Sequence, residues 1–251
     1  MTEKVVPPNA RELFRARLKN LLFVKEDVMQ VMHAYDIAES AHANQLRLSG
    51  EPYFEHPLAA ANILLNQCQV KDASVICGAL LHDVAEDTKY FDPNPKSLGY
   101  REYIEKVKQK LAEDGFSDKT AEIVISLTKP QIIEEPAGVL VLEDGVFVIK
   151  TEKVFGDGID FFDRDQAYVK KMELLDDASP EALLVKMADR LHNLRTFYPK
   201  VGRENPTEKI EETKTMKNVF NKVDEAYPVE YAILSVAIDE AIEKLESRYK
   251  R

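Results

Sequence analysis

The sequence predicts an all-α protein that carries one short β-hairpin. Apolar residues recur at intervals of three and four over most of the chain, as amphipathic helices require. The one β-like stretch contains two apolar runs, Val139–Leu142 and Val146–Thr151, and Asp144 with Gly145 can form a two-residue turn between them. Neither an internal repeat nor a long linker divides the chain, so we expect a single domain over residues 1–251.

Each predicted helix follows from its own periodicity and from the residues that begin or end it. The predicted helices span 10–22, 26–44, 59–66, 72–87, 100–113, 117–128, 164–176, 180–197, 207–225 and 229–249. Residues 47–57 and 89–99 each contain two prolines, so both are predicted as loops. Ser179 followed by Pro180 predicts a helix start, with the serine as cap and the proline in the first turn.

Composition and charge narrow the possible functions. The chain is 45% hydrophobic and 31% charged, which is typical of a soluble globular protein. No apolar run approaches the ~18 residues of a membrane span, and the N-terminus lacks the apolar region of a secretory signal. The net charge of −10 disfavours general binding of nucleic acid or of anionic membranes, because both need a basic field. The two cysteines, Cys68 and Cys77, indicate reduced thiols in a cytoplasmic protein.

The strongest chemical signal is an acidic cluster at the end of an otherwise apolar helix. The helix predicted over 72–87 ends with His82, Asp83, Glu86 and Asp87. Their spacings of three and four place these side chains on adjoining faces of one turn. Crowded carboxylates repel each other, and buried charges are costly, so a divalent cation would stabilise the cluster. The alternative is a solvated helix end beside a hydrogen-bonded core histidine.

A second polar stripe lies on the helix predicted over 180–197. Asp189, Asn193 and Thr196 recur at intervals of four and three on an otherwise apolar helix. Asp189 can offer an oxygen ligand to a metal, while Asn193 and Thr196 can form hydrogen bonds to a substrate. His192 lies on a different face, so we predict that it is structural or supports a ligand. A solvated amphipathic face is the alternative for this stripe.

The loop at 47–57 adds three further candidates. Arg47 is a planar cation that can stack on a base or bind phosphate. Ser49 offers a hydroxyl beside the flexible Gly50. His56 is a candidate imidazole ligand, predicted at the cap position just before Pro57.

Three runs of the chain contain these residues: RLSGEPYFEHP at 47–57, HDVAEDT at 82–88 and ADRLHNLRT at 188–196. In their order and spacing they resemble the signatures of the HD hydrolase domain of RelA/SpoT homologues. Members of that family remove the 3′-pyrophosphate from the alarmone (p)ppGpp. The resemblance therefore implies an HD-domain helical bundle and a guanosine-3′,5′-bis(diphosphate) 3′-pyrophosphohydrolase that yields GDP or GTP and pyrophosphate. The chain length implies a stand-alone small alarmone hydrolase.

Residue roles are carried over from the family by position. The implied ligands, of Mn²⁺, are His56, His82, Asp83 and Asp189. The residues implied to activate or orient the attacking water are Glu86 and Asp87. The implied substrate contacts are Arg47, Ser49, Lys129, Asn193 and Thr196. The implied partner is ppGpp or pppGpp, with neither nucleic acid nor a membrane involved.

The sequence departs from the family pattern at two places. Leu48 stands where many members have a lysine, which puts one phosphate or base contact in doubt. Residues 131–163 insert the predicted hairpin and a glycine-containing loop where many members have a short connection. This insertion is either a surface ornament or subunit contact, or a lid that reshapes the nucleotide pocket.

Three alternative functions remain open on the sequence. The same metal site could act on another phosphorylated nucleotide, such as NADPH or a nucleoside triphosphate. A degenerate HD domain could instead bind an alarmone or a partner protein as a regulator without catalysis. An antitoxin that neutralises an alarmone-making toxin would use the same chemistry in another genetic setting.

Overall fold

The computed structural model describes residues 9–93, 100–128, 139–143, 146–150, 172–198 and 205–249, and in these ranges the chain is mostly helical. The first helices are α1 (Ala10–Asn20), α2 (Lys25–Ala41), α3 (Glu55–Asn66), α4 (Ala73–Leu81), α5 (Val84–Asp87), α6 (Tyr100–Glu113) and α7 (Asp118–Leu127). Residues 172–177 are helical (α8). The last helices are α9 (Pro180–Arg195), α10 (Pro206–Ala226) and α11 (Pro228–Tyr249). Within these ranges no helix combines the length and the apolarity that crossing a membrane would need.

Two short strands lie in the segment for which the sequence predicts a hairpin. β1 (Val139–Glu143) and β2 (Val146–Lys150) pair antiparallel, with Val139 opposite Lys150 and Glu143 opposite Val146. The predicted turn residues Asp144 and Gly145 lie outside the described residues. So does most of the remainder of 131–163, and the role of that segment as an insertion stays a prediction.

The apolar helix α4 lies at the centre of the helical bundle. It packs against α2, α3, α7 and α9, and α9 in turn contacts α3, α10 and α11. Every α4 residue from Ala73 to Leu81 except Ser74 is buried. An apolar helix surrounded in this way brings its C-terminal end, with His82 and Asp83, against the middle of α9.

Polar side chains cap several of the helices. The predicted cap at Ser179 is confirmed, because its hydroxyl accepts a hydrogen bond from the backbone N–H of Ala182 and Pro180 lies in the first turn. Asp72 likewise accepts from the N–H of Ser74 at the start of α4. These side chains satisfy backbone donors that have no partner inside the helix.

The helix predicted over 72–87 is interrupted at His82 and Asp83. α4 ends at Leu81, and a separate short helix, α5, begins at Val84. Nδ1 of His82 donates to the carbonyl of Ala79, 2.8 Å away, which fixes the imidazole at the end of α4. The interruption turns Asp83 towards the same space as His82.

The start of α3 also differs from the prediction. The helix begins at Glu55, so His56 lies in its first turn and not at the cap. Phe54 occupies the cap position, is buried, and packs edge-to-face on Tyr35 with ring centroids 4.8 Å apart. Burial of this aromatic ring stabilises an earlier helix start than the proline alone predicts.

A tight turn leads into α3. The backbone N–H of Arg47 donates to the carbonyl of Glu51, and the N–H of Gly50 donates to the carbonyl of Arg47, both at 2.8 Å. Gly50 has φ of +90°, a conformation that residues with a side chain rarely adopt. This turn holds Arg47 and Ser49 beside α9.

Candidate metal centre

Four predicted metal ligands come together from three separate parts of the chain. His56 comes from the first turn of α3, His82 and Asp83 from the junction of α4 and α5, and Asp189 from the middle of α9. All four side chains are buried, at 2–7% exposure. Burial of two imidazoles beside two carboxylates is costly unless the groups are paired or share a cation.

Nε2 of His56 lies close to both carboxylates. It lies 3.1 Å from Oδ1 of Asp189 and 3.3 Å from Oδ2 of Asp83. Nε2 of His82 lies 3.2 Å from Oδ1 of Asp83 and 3.9 Å from Oδ1 of Asp189. Nitrogen and oxygen atoms that share one first-row metal ion are separated by distances of this size, since each lies at about 2.0–2.2 Å from the ion.

The orientation of His82 leaves its second nitrogen directed at the carboxylates. A backbone carbonyl can only accept, so the contact with Ala79 requires the hydrogen on Nδ1 of His82. Nε2 of His82 is buried and makes no hydrogen bond within the described part of the protein. The contact between a buried nitrogen lone pair and a carboxylate oxygen is repulsive unless a proton or a cation lies between the two atoms.

The donor set fits a divalent transition metal. His56, His82 and Asp189 each offer one ligand atom, and the three atoms lie within 4.8 Å of one another. Asp83 contacts both imidazoles through its two different oxygens. Imidazole nitrogen combined with carboxylate oxygen suits a first-row ion such as Mn²⁺ better than Ca²⁺ or Mg²⁺, which prefer oxygen alone.

Asp189 is held in its ionised form by its neighbours. Burial by itself would raise the pKa of Asp189, but the charge of Lys186 and the contacts with His56 and His82 outweigh it, and the pKa lies well below its ordinary value. Nζ of Lys186 lies 2.6 Å from Oδ2 of Asp189. Asn193 donates to the other oxygen, Oδ1, through its side-chain amide. The carboxylate is therefore fixed in position on both sides.

A cluster of three carboxylates, which includes Asp83, extends from the candidate metal centre. Asp83, Glu86 and Asp87 form a cluster in which Glu86 is half-buried and Asp87 is exposed. The hydroxyl of Tyr53 donates to Asp87 and lies 3.2 Å from Oδ2 of Asp83. Burial and these two carboxylates raise the pKa of Tyr53, so its phenol keeps the proton that it donates.

The centre opens into a pocket of about 470 Å³. Its lining includes the predicted substrate contacts Arg47, Ser49, Asn193 and Thr196. Three further cations line it, namely Lys186, Arg190 and Lys209. Leu46, Leu48, Phe197 and Tyr198 form apolar parts of the wall. Four carboxylates, those of Asp83, Asp87, Asp189 and Glu212, line it as well, so the pocket combines both signs of charge with apolar wall.

The predicted substrate contacts form hydrogen bonds within the protein. Arg47 donates from Nη2 to Oδ1 of Asn193 at 2.9 Å. Ser49 donates to Oε2 of Glu51, and Thr196 donates to the backbone carbonyl of His192. The fifth predicted contact, Lys129, lies outside the described residues.

Sequence reasoning gave no role to two residues that contact the predicted ligands. Lys186 is a buried charge on an apolar helix face, three positions before Asp189, and that unusual placement is a signal visible in the sequence. Tyr53 lies three positions before His56 in a run that otherwise supplies candidates. Only its packing against His42, with stacked rings 4.7 Å apart, directs its hydroxyl at the carboxylates.

Comparison with known families and proteins gives consistent matches. A family model described as HD domain matches residues 34–224. The guanosine-3′,5′-bis(diphosphate) 3′-pyrophosphohydrolase of Haemophilus influenzae is 34% identical over 164 residues, which cover 64% of this chain and 18% of that protein. The bifunctional (p)ppGpp synthase/hydrolase SpoT of Escherichia coli is 29% identical over 177 residues, 69% of this chain and 19% of that protein. A probable GTP pyrophosphokinase of Mycobacterium leprae is 31% identical over 70% of this chain and 17% of its own length.

The chain thus spans less than a fifth of the length of these curated relatives. Among solved structures, that of a metazoan ortholog of SpoT, described as hydrolysing ppGpp and playing a role in starvation responses, matches with a TM-score of 0.50. The match covers 86% of this chain and 94% of that one at 20% identity, and at that identity it shows a shared fold.

Proposed function

This chain belongs to the HD domain family, and on that premise we propose that it is a metal-dependent hydrolase that removes the 3′-pyrophosphate of (p)ppGpp. The products would be GDP or GTP together with pyrophosphate. The relatives' names include both synthesis and hydrolysis of (p)ppGpp. Paired imidazoles and carboxylates at the base of a pocket favour hydrolysis, because such groups can ligate a metal ion that assists attack by water.

The observation that carries this proposal is the convergence of two imidazole Nε2 atoms on two buried carboxylates. His56 and His82 approach Asp189 and Asp83 within 3.1–3.9 Å. Nε2 of His82 has no hydrogen bond within the described residues. A bound cation would satisfy every one of these groups at once, whereas pairwise hydrogen bonds would not.

In the proposed mechanism His56, His82, Asp83 and Asp189 hold the cation, and we take Mn²⁺ as the ion. When bound, a divalent ion would lower the pKa of a coordinated water towards neutrality and screen the phosphoryl oxygens. Lys186 keeps Asp189 ionised, and Asn193 and Lys186 fix its two oxygens in place.

Glu86 and Asp87 would receive or orient the proton of the attacking water. The oxygen of that water forms a bond to the phosphorus attached to the 3′ oxygen of the ribose. The bond between phosphorus and the 3′ oxygen breaks, and that oxygen takes up a proton. Tyr53 holds Asp87 beside Asp83 through its phenol hydroxyl, so the acidic pair stays close to the metal centre.

The pocket supports a nucleotide with several phosphates. Arg190 and Lys209 line one part of it, where both also pair with Glu212, and they would contact phosphate by exchanging that partner. Leu48 stands in the wall where the family has a lysine, and its exposed fraction of 42% leaves an apolar surface for a base or ribose. Arg47, Ser49, Asn193 and Thr196 would contact the nucleotide after exchanging some of their present hydrogen bonds.

The direct test is product analysis by mass spectrometry of ppGpp incubated with the protein and Mn²⁺. GDP and pyrophosphate should appear with Mn²⁺ and should be absent with a chelator. The variant Glu86→Gln should retain metal and slow turnover by roughly 10²–10⁴-fold, since it removes a proton acceptor. Release of orthophosphate in place of pyrophosphate would contradict the proposal.

A substrate panel tests the main alternative, which keeps the metal centre and changes the nucleotide. Leu48 is the observation that favours it, because many members of the family have a lysine there, which puts one phosphate or base contact in doubt. If NADPH or a nucleoside triphosphate is hydrolysed faster than ppGpp, the alternative is correct. Turnover of no nucleotide despite bound metal would favour a regulator without catalysis.

Three further parts of the proposal concern the whole chain. We propose one domain over residues 1–251, with 131–163 as an insertion whose strands β1 and β2 form a hairpin. Deleting residues 137–153 would separate a surface ornament, for which KM is unchanged, from a lid, for which KM rises.

We also propose a cytoplasmic location, which the two free, buried thiols of Cys68 and Cys77 support.

A further inference from the structure

Hydrogen bonds connect the pocket loop to the candidate metal centre through His192. Nδ1 of His192 lies 2.7 Å from Nδ1 of His56 and 3.2 Å from Nη1 of Arg47. The centroids of the two rings are 4.9 Å apart and their planes differ by 29°, so the two nitrogen atoms meet at the edges of the rings. Both contacts therefore meet at one nitrogen atom of His192.

The chemistry of the donors fixes the direction of this chain of hydrogen bonds. A guanidinium group has donors and no acceptor, so Nδ1 of His192 presents its lone pair to Arg47. A nitrogen with a lone pair has no hydrogen to give, so the hydrogen in the contact between the two histidines belongs to Nδ1 of His56. A metal-ligating imidazole is neutral and carries one hydrogen, so a hydrogen held on Nδ1 of His56 leaves Nε2 available for the cation. That is the atom 3.1 Å from Asp189.

We propose that His192 is a positioning residue, which holds His56 in the tautomer and orientation that a metal ligand needs, and that Arg47 holds His192. The role rests on the proposed function, since the cation is the one bound at the candidate metal centre. A ligating histidine usually gives its second N–H to an acceptor, which fixes the ring. For His82 that acceptor is the carbonyl of Ala79, whereas for His56 it is a side chain.

Arg47 contacts two residues, each of which supports one predicted metal ligand. Its Nη1 contacts His192, which supports His56. Its Nη2 donates to Asn193, which in turn donates to Asp189. One guanidinium of the loop that lines the pocket thus supports the centre on two sides, so Arg47 contributes to metal affinity before any nucleotide is bound.

Metal affinity tests the role of His192 without measuring activity. The full chain is stripped of metal and titrated with Mn²⁺ by calorimetry. His192→Ala should bind Mn²⁺ about 10- to 100-fold more weakly than the wild type, the usual effect of losing an acceptor of this kind. His192→Asn should bind nearly as the wild type does, because the carbonyl oxygen of asparagine can occupy the position of Nδ1. His33→Ala is the matched control, since it removes an exposed histidine that stacks on Phe116.

The pattern of results separates the two proposals. Wild-type affinity in His192→Ala would overturn the positioning role and leave the proposed function intact. Absence of Mn²⁺ binding in the wild type would overturn the proposed function, and the positioning role with it. If Mn²⁺ affinity falls equally in His192→Ala and His192→Asn, the positioning role is also overturned, because asparagine keeps the hydrogen-bond acceptor.

The tautomers can also be measured directly in the metal-free protein. The chain has five histidines, few enough for long-range ¹H–¹⁵N spectra with labelled histidine, assigned by single substitutions. We expect His192 to carry its hydrogen on Nε2. Arg47→Met should increase the fraction of His192 that carries it on Nδ1, because the donor that stabilises the lone pair is gone. A wild-type His192 that is protonated on Nδ1 would overturn the inference even if the alanine variant does not fold.

Discussion

The ammonium group of Lys186 lies 2.6 Å from Oδ2 of Asp189, one helical turn away on α9, and both side chains are buried. Removing one member of a buried ion pair leaves the other charge without compensation in a poor solvent for charge. A divalent cation at the candidate metal centre would offset the charge of Asp189 in the same way as the lysine does. Lys186 and the metal should therefore contribute to stability in a partly interchangeable manner.

Lys186→Met is expected to lower the free energy of unfolding of the metal-free protein by about 3–5 kcal/mol. Saturating Mn²⁺ should restore part of that loss, because the cation compensates Asp189. Urea denaturation with chelator and with Mn²⁺ measures both values. Lys214→Met, which removes an exposed pair with Glu211 and Glu246, is the control and should change little. An identical loss with and without Mn²⁺ would contradict the compensation.

Asp83→Ala should lose metal and turnover together while the helices remain. Asp83 contacts both imidazoles, so its removal takes away one proposed ligand and the partner of two others. Elemental analysis, ppGpp turnover and far-ultraviolet circular dichroism measure the three properties. Asp114→Ala removes a carboxylate that pairs with Lys110 away from the centre and should retain metal and activity. Hydrolysis by Asp83→Ala near the wild-type rate would remove Asp83 from the site.

Tyr53→Phe should lower kcat and leave KM nearly unchanged. Its hydroxyl donates to Asp87 and lies beside Asp83, and hydrogen bonds to charged groups contribute about 1.5–3 kcal/mol, roughly a 10- to 100-fold change in rate. Steady-state kinetics of ppGpp hydrolysis separates the two constants. Tyr90→Phe, which removes a hydroxyl bonded to Asp114, is the matched control and should keep kcat. A change confined to KM would instead assign Tyr53 to substrate binding.

Gly78→Ala should destabilise the bundle next to the candidate metal centre. A Cβ atom at position 78 would lie 2.4 Å from Cγ2 of Ile123 on α7, and Ile123 is fully buried. Overpacking of this kind costs about 1–3 kcal/mol. Thermal denaturation measures the loss. Adding Ile123→Ala removes the clashing methyl group, so the double variant should lose less than the sum of the two single changes.

The local features of this molecule were predictable because they depend on neighbours in the sequence. Ser179 caps α9 as its pairing with Pro180 predicts, and α6 spans Tyr100–Glu113 where the periodicity places it. The interruption of the predicted helix at His82 was not predictable in this way. The apolar pattern continues through Val84 and Ala85, so it contains no information on where the helix is interrupted.

The residues of the candidate site also differ in how far the sequence could predict them. His82 and Asp83 could be predicted as site residues from the sequence, because they are ionisable residues at the end of an apolar helix. Tyr53 was not predictable, since packing on His42 brings its hydroxyl to the carboxylates. For His192 the sequence predicts a structural or supporting role, but only the structure shows that its contact is with His56. The sequence places His192 on a different face of its helix from Asp189, and in the structure the two side chains contact different ring nitrogens of His56, Nδ1 and Nε2 respectively.

By itself the sequence determined an all-α chain, the residue types of a metal centre and the three runs that contain them. Tertiary structure alone decided that His56, Asp83 and Asp189, which lie on separate helices, meet within hydrogen-bonding distance. It also decided which nitrogen of each imidazole faces the carboxylates. The physical reason is that residue type and spacing fix the chemistry of a side chain, whereas its distance and direction to a partner far along the chain come from the packing of helices around α4.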